Sequence, residues 1–148
     1  MPPLKTGEVA PEIAGVDRAG TRVLFFYKVT CPTCQISAPV AERFHQVLGE
    51  RFVGIGQDPT EKLDRFAGDY GTTFTAVSDE PPYAISDAYG IRTVPTVFVL
   101  EEGTVVDVVE SWDRDGWNRV AAKTGELLGT PAEALSWEGD GLPPFRPG

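Results

Sequence analysis

Short runs of apolar residues alternate along the chain with longer stretches in which apolar residues recur every three or four positions. The first run, residues 21–29 (TRVLFFYKV), is rich in β-forming residues and predicts a buried central strand. Apolar residues at helical spacing then predict a helix that begins near Cys34 and ends at Leu48, with Gly49 as its C-terminal stop. The chain is therefore expected to run from a strand through a short turn into a helix.

The same alternation continues in the middle of the chain. Residues 51–56 predict a second buried strand, and residues 58–71 predict a second helix. The start of this helix carries three favourable signals, because Asp58 suits the N-cap, Pro59 suits the first helical position and Glu61 completes a capping box.

Further elements are predicted beyond the second helix. They are a short edge strand at residues 75–79, a short helix at 82–91, a β-hairpin formed by 96–100 and 104–109, and a final helix at 114–129. Strands that alternate with helices predict an α/β domain with a mixed sheet, in which the last pair of strands is antiparallel.

The end of the chain differs in composition from the rest. Residues 130–148 are rich in proline and glycine, so we expect a domain at residues 1–129 followed by an extended tail. The pattern leaves open whether Trp137 and Phe145 dock this tail on the domain or whether the tail is disordered.

Size and charge narrow the class of protein. A chain of 148 residues is the usual size for one domain, and its net charge of −9 argues against a nucleic-acid partner. No apolar stretch approaches the roughly 20 residues of a membrane span, and the first residues lack the apolar run of a signal peptide. We therefore expect no membrane insertion and a cytoplasmic protein, or a periplasmic or other extracytoplasmic one if a leader was removed.

The only two cysteines of the chain, Cys31 and Cys34, lie three positions apart where the first helix is expected to begin. A helix N-terminus stabilises a negative charge by about 0.3–1 kcal/mol, or up to about 2 kcal/mol when it is partly buried. Because one pKa unit is about 1.4 kcal/mol, the helix alone lowers a thiol pKa by roughly one unit. We therefore predict that Cys31 is the acidified nucleophile and Cys34 the shielded resolving thiol. No organic cofactor is implied, because the electrons reside on the cysteine pair.

Other uses of the cysteine pair fit less well. A structural zinc site needs four Cys or His ligands, whereas the chain has two cysteines and one histidine, so no metal site is expected. A Cys–His catalytic pair is also excluded, since His45 lies about 21 Å beyond Cys31 at the helical rise of about 1.5 Å per residue. A structural clip would close a very short loop and remove little chain entropy. Two inert buried thiols would not need this placement at a helix start.

From about Thr21 to Gly129 the chain resembles the thioredoxin superfamily, and within it the bacterial thiol-disulfide oxidoreductases of the TlpA and ResA kind, which adjoin the peroxiredoxin-like group. Four segments carry the resemblance: CPTCQISAP with its helix-kinking Pro39, TVPTVFVL, FVGIGQD followed by a helix, and the closing hairpin LEEGTVVDVV. The resemblance implies a thioredoxin fold, with a central mixed β-sheet flanked by helices on both faces.

The resemblance also implies roles for residues around the cysteines. The Val94–Pro95 bond should be cis and face the cysteines, and the backbone of Val94 should pair with a substrate chain. Thr30 stands where many thioredoxin-like proteins have a tryptophan that packs against substrate, and the residues between the cysteines, Pro32 and Thr33, tune the reduction potential.

The resemblance also bears on a buried acid near the cysteines. Thioredoxin itself has an acid six residues before the first cysteine, where this chain has Phe25. The ResA-like group places its acid just beyond the next strand, and Asp58 matches that position. Asp58 is therefore either a proton relay for Cys34 or only the cap of the second helix.

The leading hypothesis is a thiol-disulfide oxidoreductase that acts on protein cysteines with an unidentified electron donor or acceptor. The first alternative is a peroxiredoxin-type thiol peroxidase. In peroxiredoxins a proline and then a threonine precede the reactive cysteine. When this pattern is aligned on Cys34, Tyr27 and Cys31 stand at the proline and threonine positions, and when it is aligned on Cys31, Lys28 stands at the threonine position. Neither alignment therefore fits. The second alternative is a non-enzymatic binding module whose disulfide switches contact with a partner, with the tail as a candidate contact.

Overall fold

The computed structural model describes residues 3–148, and residues 1 and 2 of the predicted domain lie outside the described part. In this described part, five strands form one sheet in the order β3-β2-β1-β4-β5. They are β1 (Thr21–Tyr27), β2 (Phe52–Gly56), β3 (Thr75–Ser78), β4 (Thr96–Glu101) and β5 (Thr104–Glu110). The first three strands are parallel, whereas β4 is antiparallel to both β1 and β5. The predicted mixed sheet with an antiparallel last pair is confirmed.

Four helices and two short strands complete the fold within the described residues. They are α1 (Pro32–Leu48), α2 (Thr60–Tyr70), α3 (Ala84–Ala88), α4 (Arg114–Leu128), β6 (Trp112–Asp113) and β7 (Phe145–Arg146). A 3-10 turn, Gly49–Arg51, joins α1 to β2. None of the helices in residues 3–148 combines the length and apolar character that crossing a bilayer requires.

The two faces of the central strand β1 bury separate apolar clusters. Val23, Phe25 and Tyr27 pack with residues of α1, α2 and α4, whereas Leu24 and Phe26 pack with Tyr89 and with the segment before β1. Strand side chains alternate between faces, so a continuous apolar run is what a strand covered on both sides requires. The predicted thioredoxin-type layering, with helices on either side of a mixed sheet, is confirmed.

The start of α2 contradicts the predicted capping box. The helix begins at Thr60 after Pro59, and no side chain caps its first turn. The Asp58 carboxylate instead accepts a hydrogen bond from the Val29 amide at 2.9 Å. The local signals for capping were therefore wrong about Asp58, because a partner distant in sequence takes its side chain.

The tail packs against α4 through residues that the sequence did not single out. Leu135 and Ser136 are buried, and the Asn118 side chain hydrogen-bonds to the backbone of both. Arg114 pairs with Asp140 at 3.2 Å. Trp137 and Phe145 remain 51% and 56% exposed, so neither is the anchor of the tail. The boundary between domain and tail at residue 129 stays a prediction, although Gly129 does end α4 with a left-handed φ of 69°.

Candidate active site

Cys31 is the N-cap of α1, at the end of the turn that follows β1. Its backbone is extended, with φ −82° and ψ 114°, and its sulfur accepts a hydrogen bond from the Cys34 amide at 3.1 Å. Cys31 thereby occupies the position in which a serine or aspartate usually caps a helix, and Pro32 suits the first helical turn because it lacks an amide hydrogen. The helix begins at Pro32 rather than near Cys34, since the first cysteine itself supplies the cap.

These contacts make Cys31 an acidic thiol. The hydrogen bond from the Cys34 thiol, together with the amides of Cys34 and Thr33 and the charge of Arg146, lowers the pKa of Cys31 to about 6 against the opposing effect of its partial burial. Hydrogen bonds to the charged form favour ionisation, and only the thiolate is a strong nucleophile. Cys31 is therefore largely ionised at neutral pH.

Cys34 has the opposite properties. Its side chain is fully buried, and burial, hydrogen bonding to Cys31 and the negative charge of Cys31 all raise its pKa. Both cysteines are free thiols in this structure. The pair therefore consists of an accessible thiolate and a protonated thiol that lies behind it.

The loop before β4 brings Val94 to the cysteine pair. The Val94–Pro95 bond is cis, as the resemblance implies, and the Val94 carbonyl oxygen lies 3.5 Å from the Cys31 sulfur. A second cis bond, Pro81–Pro82, was not anticipated from the sequence. The sequence-derived residues Cys31, Cys34, Val94 and Pro95 thus lie together at one edge of the sheet.

Asp58 contacts the turn that leads to Cys31 through its carboxylate, and it is 93% buried, with 7% of its surface exposed. Its carboxylate holds the Val29 amide, two residues before Cys31. Burial raises the pKa of Tyr27, and the charge of Asp58 raises it further. Within residues 3–148, no direct hydrogen bond joins Asp58 to Cys34.

The residues beside the cysteines have different environments. Thr30 and Pro32 are exposed, whereas Thr33 is buried. The Thr33 hydroxyl donates a hydrogen bond of 2.6 Å to the Pro147 carbonyl, so the tail reaches the active-site turn. Sequence reasoning missed this contact and the nearby Arg146, because only two aromatic residues of the tail suggested docking and no pattern marked the residues that reach the turn.

In the described part of the chain, no three His, Cys, Asp or Glu side chains come together as metal ligands. The geometry supports a dithiol chemistry that needs no such group, because the cysteine pair can carry two electrons as a disulfide.

Comparison with known proteins shows the family of this chain. The model of the AhpC/TSA family matches residues 11–109, which include the cysteine pair, Asp58 and the Val94–Pro95 loop. The chain belongs to the AhpC/TSA family.

Curated relatives of this AhpC/TSA protein point to two kinds of thiol chemistry. The thiol-disulfide oxidoreductase ResA of Halalkalibacterium halodurans is 34% identical over 90 residues, which cover 57% of this chain and 51% of ResA. The peroxiredoxin Bcp of Escherichia coli K12 is 30% identical over 106 residues, which cover 62% of this chain and 67% of Bcp. The chain thus spans about half the length of ResA and about two thirds of the length of Bcp.

A solved structure shows the same fold. The chain superimposes with a TM-score of 0.72 on a crystal structure assigned as the thiol:disulfide interchange protein DsbE of Chlorobium tepidum, at 21% identity. The superposition covers 85% of this chain and 99% of that one. This member of the AhpC/TSA family therefore has the thioredoxin fold.

Proposed function

We propose that this domain is a thiol-disulfide oxidoreductase that exchanges disulfides with cysteines of another protein. The observation that carries the proposal is the asymmetry of the pair, in which an accessible, acidified Cys31 lies against a sealed, protonated Cys34. The resemblance to ResA supports the same chemistry.

The exchange proceeds in two displacements. The Cys31 thiolate attacks one sulfur of a target disulfide, and the other target sulfur leaves as a thiolate that takes up a proton. Cys34 then loses its proton and attacks the Cys31 sulfur, so that an internal disulfide forms and the target is released as a dithiol. Two electrons pass from the cysteine pair to the target, and the reverse sequence oxidises a target dithiol.

Three further residues are proposed to position the target. Val94 offers its backbone beside Cys31 for pairing with an extended target chain, Pro95 fixes the loop, and the exposed Thr30 packs against the target. Backbone pairing of this kind gives affinity without demanding a particular target sequence. Pro32 and Thr33, which lie between the cysteines, are proposed to tune the reduction potential.

The proposed partners are therefore protein thiols or disulfides, and a separate electron donor or acceptor must restore the pair after each turnover. The potential of that partner sets the direction of electron flow, because exchange is an equilibrium between two dithiol couples.

We propose that Asp58 relays the proton that Cys34 loses in the second displacement. Its carboxylate is buried and accepts a hydrogen bond from the Val29 amide two residues before Cys31, and burial makes the direct release of a proton from Cys34 unfavourable. A carboxylate that accepts this proton, directly or through a water molecule, would speed the attack of Cys34 on the mixed disulfide.

Replacement of Asp58 by Asn is expected to slow the second displacement on the order of a hundredfold, at the low end of general acid–base effects. Asn retains an oxygen that can accept the Val29 amide hydrogen bond, so the loop before Cys31 should stay in place. The measurement is the decay rate of a preformed mixed disulfide as a function of pH. A purely structural role predicts instead an unchanged pH profile and equal losses in both displacements.

A peroxiredoxin-type peroxidase is the second candidate, and the resemblance to Bcp favours it. The site supports it less well. Cys34 is too buried to meet peroxide as the attacking thiol, and alignment on Cys31 puts Lys28 in the threonine place, where its ammonium group contacts the Tyr83 hydroxyl at 3.3 Å.

Parallel assays of one preparation decide between the two activities. Rates are measured with a protein disulfide target and with hydrogen peroxide, each with an excess of a small thiol reductant. The proposal predicts fast reduction of the target disulfide and slow consumption of peroxide. Slow reduction of the target disulfide with fast consumption of peroxide would contradict the proposal and favour the peroxidase.

A further inference from the structure

The last part of the tail is held next to the active site by backbone pairing. Strand β7 (Phe145–Arg146) runs antiparallel to β6 (Trp112–Asp113). Just before it, the Trp112 ring nitrogen donates to the Pro143 carbonyl at 2.7 Å, and the Arg114 amide donates to the Pro144 carbonyl at 3.0 Å. The chain is therefore aligned in an extended form before it reaches the cysteines.

Pro147 and Gly148 contact both the turn that carries the cysteines and the loop that carries Pro95. The Pro147 carbonyl accepts the hydrogen bond from Thr33 in the cysteine turn. The Gly148 amide donates to the Ser111 hydroxyl at 3.2 Å, and the Ser111 amide in turn donates to the Pro95 carbonyl at 2.7 Å. Pro147 and Gly148 thus connect the cysteine turn to the cis-proline loop.

Gly148 lies directly against the backbone that flanks the cysteine. A side chain at this position would collide with the Val94 carbonyl and with the Thr93 hydroxyl. The same Val94 carbonyl is the one that lies beside the Cys31 sulfur. An extended target chain that pairs with Val94 would therefore need the space that Gly148 fills.

The contact of residues 145–148 with the site is weak enough to open. Phe145, Arg146, Pro147 and Gly148 are all exposed on their outer side, so no buried side chain holds the segment down. The hydrogen bonds of Pro147 and Gly148 each change an equilibrium by roughly two- to tenfold. Arg146 also brings a positive charge near Cys31, whereas the chain as a whole carries a charge of −9.

We propose that residues 145–148 are a strap. It occupies the space beside Val94 in which a target chain would pair, and so determines which targets reach Cys31. This inference rests on the proposed function. A protein target must displace the strap to pair with Val94, whereas a small disulfide reaches Cys31 without doing so. The strap therefore favours small disulfides and target segments flexible enough to insert in its place.

The test replaces Gly148 with Leu, whose side chain cannot be accommodated against Val94. Gly68→Leu is the matched control, because Gly68 is an exposed residue of α2 with open space around it. Cys31 is alkylated in each protein with iodoacetamide and with a maleimide attached to a bulky polymer. Gly148→Leu is expected to raise the ratio of bulky to small labelling rates about tenfold, since the hydrogen bonds of Pro147 and Gly148 are both lost. Gly68→Leu is expected to leave the ratio unchanged.

The same proteins are then compared as oxidoreductases. Gly148→Leu is expected to speed exchange with a folded protein disulfide about tenfold relative to a small disulfide. An unchanged labelling ratio in a folded Gly148→Leu protein would overturn the strap. Because alkylation requires no disulfide exchange, a raised ratio without exchange on any target would retain the strap and overturn the proposed function instead.

Discussion

Replacement of Cys34 by Ser is expected to turn the protein into a trap for its targets. Cys31 can still attack a disulfide, but no second thiol lies behind it to resolve the mixed disulfide, so the target should remain covalently attached. Cys31→Ser removes the nucleophile and is expected to reduce exchange to the uncatalysed rate, because Cys34 is sealed from solvent. Both outcomes are read on a non-reducing gel and by mass spectrometry of the adduct.

The two substitutions control for each other. The double variant with Ser at positions 31 and 34 should form no adduct, and a reductant should release the target from Cys34→Ser. If Cys31→Ser accumulated adduct and Cys34→Ser did not, Cys34 would be the nucleophile and Cys31 the resolving thiol, which contradicts the assignment.

Replacement of Phe25 by Ala is expected to destabilise the fold by about 3–5 kcal/mol, the usual cost of removing a large aromatic side chain from a core. Phe25 is fully buried. Its ring stacks on Tyr27 and contacts the rings of Phe52, Phe74 and Trp117, with centroid distances of 5.1–6.1 Å. These partners belong to several elements, so a cavity there cannot close by a small local shift. The free energy of unfolding is measured by urea titration.

Val47→Ala is the matched control for this prediction. Val47 lies on α1 but is 67% exposed, so its truncation should change the free energy of unfolding by no more than about 0.5 kcal/mol. Equal effects of the two substitutions would contradict the assignment of Phe25 to the centre of the core.

The framework of the fold was predictable from local patterns. The apolar run of β1 is continuous because the strand is covered on both faces, and α1 carries its apolar residues at helical spacing along one side. The placement of a Cys-x-x-Cys pair between these elements was equally visible, since a helix N-terminus explains why the first thiol is acidic.

Asp58 shows where local reasoning failed. Its sequence neighbours favour a helix cap, but a capping hydrogen bond is worth only about 0.5–2 kcal/mol and competes with tertiary partners. In the fold, β1 and β2 end side by side, so the Val29 amide comes within reach of the Asp58 carboxylate. The resemblance pointed to Asp58, and its place in the active site and its role as a proton relay both stay predictions.

The strap of residues 145–148 was beyond sequence analysis for a different reason. It is held mainly by backbone groups and by the hydroxyls of Thr33 and Ser111, and such contacts leave no periodic pattern in the sequence. The two aromatic residues that suggested docking, Trp137 and Phe145, are half exposed. Trp137 instead lies against the guanidinium of Arg43, 5.0 Å from the ring centroid.

The most direct test of the account is the titration of Cys31, measured by thiolate absorbance in the Cys34→Ser protein and by the pH dependence of alkylation in the native one. Because the folded-state pKa of Cys31 in the native protein is lowered to about 6, its alkylation rate should rise as the pH increases through 6 and be nearly constant above 7. The variant should titrate somewhat higher, since it lacks the thiol of Cys34 that donates to Cys31, but still below an ordinary thiol. A native alkylation rate that rises only around pH 8.5, as for an unperturbed cysteine, would contradict the assignment of Cys31 as an activated nucleophile.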